Sequence, residues 1–217
     1  YMKKTRKLSL EYRKLFRNKK YRKSLAAGIL FIILAGILMN LSINYADVRE
    51  GNSLGDLILD NIPTINFFWF RAFGTFLIAL SVPLIGFLKP KYFPALLKTM
   101  GLMYSIRAFF IAITYIKTYP AKVPVFSAFP IWKDLFPYQG NDLFFSGHVA
   151  YPFLAALVFW DNKPVRTYLL IAAAFSGIVS LFAKTHYSID TFAAPFIAYS
   201  IFKISEKLFK EDFSYIK

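Results

Sequence analysis

Six long apolar stretches recur along this chain, near Leu25–Ile43, Ile65–Phe87, Ala95–Ile116, Leu143–Trp160, Val165–Ala183 and Ser188–Ile204. A helix needs about 20 apolar residues to cross a bilayer core, so each is read as a span, although the last two are short for one. Inside lipid the backbone amides and carbonyls must be satisfied within the segment, which makes each run a helix. The expected fold is therefore all-α, a polytopic membrane protein with six transmembrane helices in one bundle. A mean hydropathy of +0.45 with 57% apolar residues is far from the mixed surface of a soluble domain. The loops leave too little polar sequence for a second domain. Residues 1–24 are read as a basic cytoplasmic segment, 25–204 as the six-helix transmembrane bundle and 205–217 as a cytoplasmic tail.

Charge orients the bundle. Of 27 Lys and Arg, 11 fall in the first 24 residues against the single acid Glu11, immediately before the first span. Lysine and arginine stay on the cytoplasmic side of a membrane, so both termini are expected inside. Threading six spans places Lys89, Lys91, Lys98, Lys163 and Arg166 inside and the acidic loop with Asp47, Glu50, Asp56 and Asp60 outside. In a bacterium the location would be the plasma membrane. The first apolar run exceeds the core of a signal peptide and no small-residue cleavage site follows, so it is expected to stay. Leu8, Tyr12, Leu15 and Phe16 recur at helical spacing between cations, which fits an amphipathic helix on anionic lipids as well as a solvated topology signal. The net charge of +15 does not indicate nucleic acid, because the cations precede a span instead of lining a folded face.

The absence of cysteine excludes disulfides and thiolate chemistry. That leaves two histidines as the groups able to exchange protons near neutrality: His148, within Ser146-Gly147-His148, and His186, opening His186-Tyr187-Ser188-Ile189-Asp190. The topology puts both on the non-cytoplasmic side. Four residues apart on a helix, His186 and Asp190 share a face, so the carboxylate can accept the Nδ1 proton and leave Nε2 bare. Such an imidazole is a competent nucleophile toward phosphorus. His148 could protonate the departing alkoxide and then deprotonate the incoming hydroxyl. Ser146 and the backbone at Gly147 could donate to the phosphoryl oxygens. Interhelical packing is the plain alternative for either histidine alone. A zinc site of His148, His186 and Asp190 is a sharper one, but no fourth ligand is evident, so no metal or other cofactor is expected. Pro120, Pro124, Pro130 and Pro137 concentrate in the loop before Ser146, expected to border the site.

Asp142-Leu-Phe-Phe-Ser146-Gly147-His148 and His186-Tyr187-Ser188-Ile189-Asp190 resemble the second and third signature motifs of the type 2 phosphatidic acid phosphatase (PAP2) superfamily. They are most similar to its sphingomyelin synthase branch, with Ser188 in place of Thr. Leu54-Gly55-Asp56 and Arg107 with Thr118-Tyr119-Pro120 are fainter echoes, while Val149 and Gly140 depart from the branch, which has Thr and Cys there. The resemblance implies a metal-free phosphohistidine route with His186 as nucleophile, Asp190 as its orienter and His148 as acid/base. It also implies membrane phospholipid and lipid-alcohol substrates on the non-cytoplasmic leaflet.

The superfamily's lipid phosphatases carry a Lys-x6-Arg-Pro motif and an Arg six residues before the nucleophile. Here there is no Arg-Pro, and Ser180 stands at that second position. Fewer fixed cations suit a monoanionic phosphodiester, which favours headgroup transfer over hydrolysis by a phosphatase or phospholipase C-like enzyme. A non-catalytic lipid-binding protein is the third reading. Lys184 and the intramembrane Arg71 and Arg107 could supply positive charge; an Arg in a span costs about 3 kcal/mol on insertion scales, so the last two should face the bundle. Asp142 is read as the N-cap of the fourth span or as a partner of His148 or of a choline-like headgroup. Phe67 to Phe70 are read as an interfacial belt.

Overall fold

A computed structural model describes residues 2–49, 51–123 and 142–216. Among them there are helices, joined by turns and one isolated bridge, and no strand. In chain order these are α1 (Met2–Arg17), α2 (Lys19–Asp47), α3 (Leu57–Asn61), α4 (Phe68–Leu88), α5 (Phe93–Ile113), α6 (Gly147–Val158), α7 (Lys163–Phe182), α8 (Ser188–Leu208) and α9 (Lys210–Ser214). Pro124, Pro130, Pro137 and Gly140 lie outside the described residues.

Local chemistry sets the boundaries. Asn18 begins α2 by accepting from the amides of Lys20 (2.9 Å) and Tyr21 (3.4 Å). Pro94 and Pro164 stand in the first turns of α5 and α7, where a missing amide costs nothing. The end of α7 is a Schellman turn: Thr185 N–H donates to Ser180 O and Lys184 N–H to Leu181 O, both at 3.0 Å. Lys184 holds φ 52° there, a left-handed position usually given to glycine, and it turns the chain sharply into His186.

Four helices are long and apolar enough to cross a membrane: Lys19–Asp47, Trp69–Leu88, Pro90–Ile113 and Lys163–Phe182. That is two fewer than the hydropathy runs suggested, and the reasons differ. The run from Leu143 to Trp160 yields only the 12 residues of α6, a rise of about 18 Å. Eight of those 12, including Val149, Leu154 and Leu157, are buried between α5, α7 and α8. The backbone that leads into α6 is covered as well, with Leu143, Phe145 and Ser146 buried, the condition under which non-helical backbone is tolerated at membrane depth. The last helix reaches 21 residues, but Asp190, Lys203, Glu206 and Lys207 lower its hydropathy.

Peripheral helices show the opposite pattern. Ile33, Leu34, Ile37 and Leu41 on α2, and Phe73, Phe76, Leu77 and Leu80 on α4, are each more than half exposed, as lipid-facing side chains would be. Trp69 and Phe70 are exposed with them. Small residues bring α2 against α5, where a Cβ on Gly101 would meet the Phe31 ring at 2.8 Å.

One end of the bundle is closed by the chain termini. Tyr12 donates to Phe87 O (2.6 Å) and Tyr21 to Pro90 O (2.7 Å), which folds α1 back onto the bundle. Lys98 Nζ reaches Ser24 Oγ (2.6 Å) and the buried Asp212 (2.7 Å), and Lys91 donates to Ile216 O, so residues 210–216 pack under α5 with Phe213 and Ile216 in the core. The other end gathers the turn before α3, the segment after α5, the start of α6 and the turn between α7 and α8. Asn52 bridges Ile116, Ile65 N–H donates to Phe182 O, and Val123 N–H donates to Ala183 O. Gly51 is required there, because a Cβ would lie 2.0 Å from Tyr115 O.

Candidate active site

Both histidines sit at this second end, and the structure brings them together: the rings of His148 and His186 are 5.6 Å apart and tilted by 64°. His148 is held by the first turn of α6, His186 by the turn that enters α8. A main-chain bond joins the two motifs directly, Ser146 N–H donating to Asp190 O at 3.0 Å.

The partner expected for His186 differs in detail. Its Nδ1 lies 3.1 Å from Leu143 O and 3.6 Å from Asp190 Oδ2. A carbonyl can only accept, so Nδ1 carries the proton, Leu143 O receives it, and Nε2 is left bare. The Asp190 carboxylate sits beside that bond and directs Oδ2 to Tyr187 N–H (3.0 Å), capping α8. Orientation of the ring therefore comes first from a main-chain carbonyl and second from the carboxylate. His186 is 2% exposed, and burial, the largest influence, lowers its pKa below the ordinary 6.5; Asp190 opposes this, and the positive charges of Arg107 and Arg71 add to it.

Arg107 is a clamp. Its Nε donates to Phe145 O (2.7 Å), its Nη2 to Asp142 O (3.2 Å), and the same nitrogen pairs with the Asp142 carboxylate. The guanidinium lies over Gly147, where a Cβ would come within 3.3 Å of it, closer than an ordinary side-chain contact. The cap position of α6 is Ser146 and not Asp142, whose carboxylate pairs with Arg107. Ser146 Oγ is fully buried and makes no hydrogen bond among the described residues.

Arg71 reaches the site from another direction. It lines a cleft between α4 and α7 together with His148, Gly74, Thr75, Ser176 and Ser180, flanked by Phe70 and Phe175. Lys184 meets the Tyr119 ring, its ammonium 5.1 Å from the ring centre. Among the described residues no three His, Asp or Glu side chains converge as metal ligands.

Two supports carry little or no sequence signal. Leu143 acts through its carbonyl, which any residue possesses. Asp56, noted only as part of a faint motif, accepts from Ser188 N–H at 2.6 Å and from the amides of Ile58 and Leu59, fastening α3 to the start of α8. Burial pushes its pKa up, but these amide donors outweigh it and hold the carboxyl below its usual value. Tyr187 joins in, accepting from Leu54 N–H (3.0 Å) and donating to Lys117 O (2.9 Å). The His186 turn is thereby tied to both neighbouring loops.

Two imidazoles in contact at one end of an apolar helical bundle give the chain a pair of groups able to exchange protons there. Residues 139–207 match the family model described as PAP2 superfamily C-terminal, which supports placing the chain in the PAP2 superfamily and a phosphatase- or phosphotransferase-type lipid function. No curated protein and no solved structure matches the chain.

Proposed function

We propose that this protein is a phospholipid headgroup transferase working through phosphohistidine at the non-cytoplasmic leaflet. The observation that carries the reading is the His148–His186 contact, with the His186 ring fixed through Nδ1 so that Nε2 is the free nucleophile. In the first half-reaction Nε2 attacks the phosphorus of a phosphocholine- or phosphoethanolamine-type glycerophospholipid. The N–P bond forms, the P–O bond to diacylglycerol breaks, and the protonated His148 gives its proton to the leaving oxygen. In the second, a lipid alcohol such as ceramide or diacylglycerol gives its proton to His148 and attacks phosphorus, and the N–P electron pair returns to His186. Ser146 Oγ, buried and without a hydrogen bond among the described residues, and the amide of Gly147 serve as donors to the phosphoryl oxygens. Arg71 supplies positive charge at the neighbouring cleft. Arg107, Asp142 and Asp190 hold the reacting groups in place.

Transfer is favoured over hydrolysis by Ser180, which stands in the cleft where the superfamily's phosphatases carry Arg. With a phosphocholine glycerolipid as donor in liposomes, added ceramide or diacylglycerol is expected to give a new headgroup-bearing lipid faster than free headgroup phosphate appears. Phosphatidic acid should be a poor substrate. Lipid mass spectrometry of one reaction reads both products; rapid phosphate release from phosphatidic acid with no lipid product would favour a phosphatase.

Orientation completes the proposal. Six passes, with α6 and α8 closing the bundle, put Leu57 outside and Asp161 inside, and α1 with its cations on the anionic cytoplasmic leaflet. In this cysteine-free chain, an impermeant thiol reagent added to intact cells is expected to label Leu57→Cys and spare Asp161→Cys. The reverse pattern would move the site to the cytoplasmic face.

A further inference from the structure

Two adjoining hollows of about 440 and 560 Å³ run along the last turns of α8 and onto α9. They share Lys203, Glu206 and Phe213, so they form one groove. Lys207 on its wall lies 19 residues beyond Ser188 on α8, a rise of about 28 Å from the histidine end. The floor is apolar: Leu157 and Val158 come from the end of α6, and Phe213 and Ile216 from the chain end packed under the bundle. Tyr199, Lys203, Glu206 and Lys207 recur at helical spacing, so one face of α8 passes from aromatic to charged along the groove. Trp160 and Tyr199, each about half exposed, stand at its mouth as aromatics do between hydrocarbon and water. Lys203 extends over the rings of Tyr199 (5.7 Å) and Phe202 (5.3 Å) and pairs with Glu206 at 2.8 Å. Lys207 and Lys210 have no ion-pair partner among the described residues.

We infer that this groove binds an anionic phospholipid of the leaflet opposite the histidines. Lysines at a helix end need no groove to be solvated, whereas an apolar floor gains by taking up hydrocarbon, so the two together fit an amphiphile. Its volume is that of a ligand site. Charge decides the class of head group. The half of the groove on α9 sets Lys203, Lys207 and Lys210 against the single acid Glu206, which favours a net negative head over a zwitterionic one. The other half, with Asp161 at its edge and an apolar floor, takes the glycerol backbone and first methylenes. The acyl chains then continue past Tyr199 along the lipid-facing side of α8, where Phe196 is 76% exposed. This seat is distinct from the surface of α1, which packs against the end of α4 through Tyr12 and Phe87. It requires neither the proposed transfer reaction nor its orientation, because no reactant enters it.

The test uses the full-length protein in phosphatidylcholine liposomes with a small fraction of phosphatidylglycerol bearing a diazirine near its glycerol backbone. Photolabel is expected on residues 157–161 and 199–216, and to fall at least tenfold with excess unlabelled phosphatidylglycerol but not with phosphatidylethanolamine. Lys207→Glu/Lys210→Glu is expected to lower that label at least tenfold, while Lys14→Glu/Arg17→Glu in α1 leaves it within twofold. Label spread evenly along the exposed faces of α2 and α4, or equal displacement by phosphatidylethanolamine, overturns the assignment in favour of ordinary lipid contact. Displacement by inorganic phosphate overturns it in favour of a soluble anion. Label within twofold of wild type in Lys207→Glu/Lys210→Glu overturns the role of the lysines and the proposal with it. Both lysines are exposed, and if the variant nevertheless does not fold, the wild-type label map and its competition decide.

Discussion

His186→Ala is expected to abolish headgroup release and transfer together, a loss on the order of 10⁴-fold or more, since the proposed covalent intermediate forms on its Nε2. Asp190→Asn should cost less. Its amide oxygen can still accept from Tyr187 N–H, and Leu143 O still holds the Nδ1 proton, so geometry and tautomer survive. What goes is the negative charge 3.6 Å from a ring that becomes positive when phosphorylated. At an effective dielectric of about 20, one charge at that range contributes a few kcal/mol, so a loss of about 10²-fold is expected. The acid limb follows from the lowered pKa of His186. Its folded-state value lies below 6.5, so the neutral nucleophile persists as pH falls through 6.5, and stability linked to this ring declines over the same window. With a nitrophenyl leaving group, which needs no proton, phosphoenzyme formation should therefore fail only below pH 6.5. Asp190→Asn removes an influence that raises the pKa and should move that limb lower still. A limb at or above 6.5 in the wild type would contradict the burial of the ring, and inactivation by chelators with recovery on zinc would transfer the site to a metal.

The second large effect is on stability. Arg107→Leu leaves the Asp142 carboxylate and the carbonyls of Phe145 and Asp142 without their guanidinium in a site where the two side chains are 5% and 15% exposed. Breaking one side of such a buried pair costs about 3–5 kcal/mol. Arg107→Lys should recover little, because an ammonium cannot serve three oxygens with a planar fork. Removing both partners in Arg107→Leu/Asp142→Leu should restore part of the loss, since no uncompensated charge remains. Thermal unfolding in detergent checks the series; a double variant no more stable than Arg107→Leu would show that the ion pair is not what Arg107 supplies.

Much of this arrangement was legible in the chain because its chemistry is scarce. With two histidines and no cysteine, the side chains able to act near neutrality were confined to two short segments, and the structure brings those segments into contact. Hydropathy located the helices, although only four of them are long and apolar enough to cross a membrane by themselves, because the run that contains α6 owes its apolar character to burial in protein. The spacing of His186 and Asp190 indicated proximity correctly, yet the nearer acceptor is Leu143 O, a main-chain atom that no side-chain pattern can reveal. The pairing of Asp142 was hidden for a related reason. An acid just before a helix fits a cap, and its pairing with Arg107, 35 residues earlier, exists only once α5 lies against the start of α6. The cleft from Gly74 to Ser176 joins two helices nearly a hundred residues apart and is purely a product of their packing.

The most direct test is to trap the covalent state. The protein is mixed briefly with a phospholipid labelled in its phosphate, quenched in alkali, which preserves phosphohistidine, and mapped by peptide mass spectrometry. A stoichiometric, acid-labile label on His186, carrying the whole headgroup and discharged by added ceramide, is the predicted result. No label in the wild type under turnover, or an equal label in His186→Ala, would contradict the phosphohistidine route.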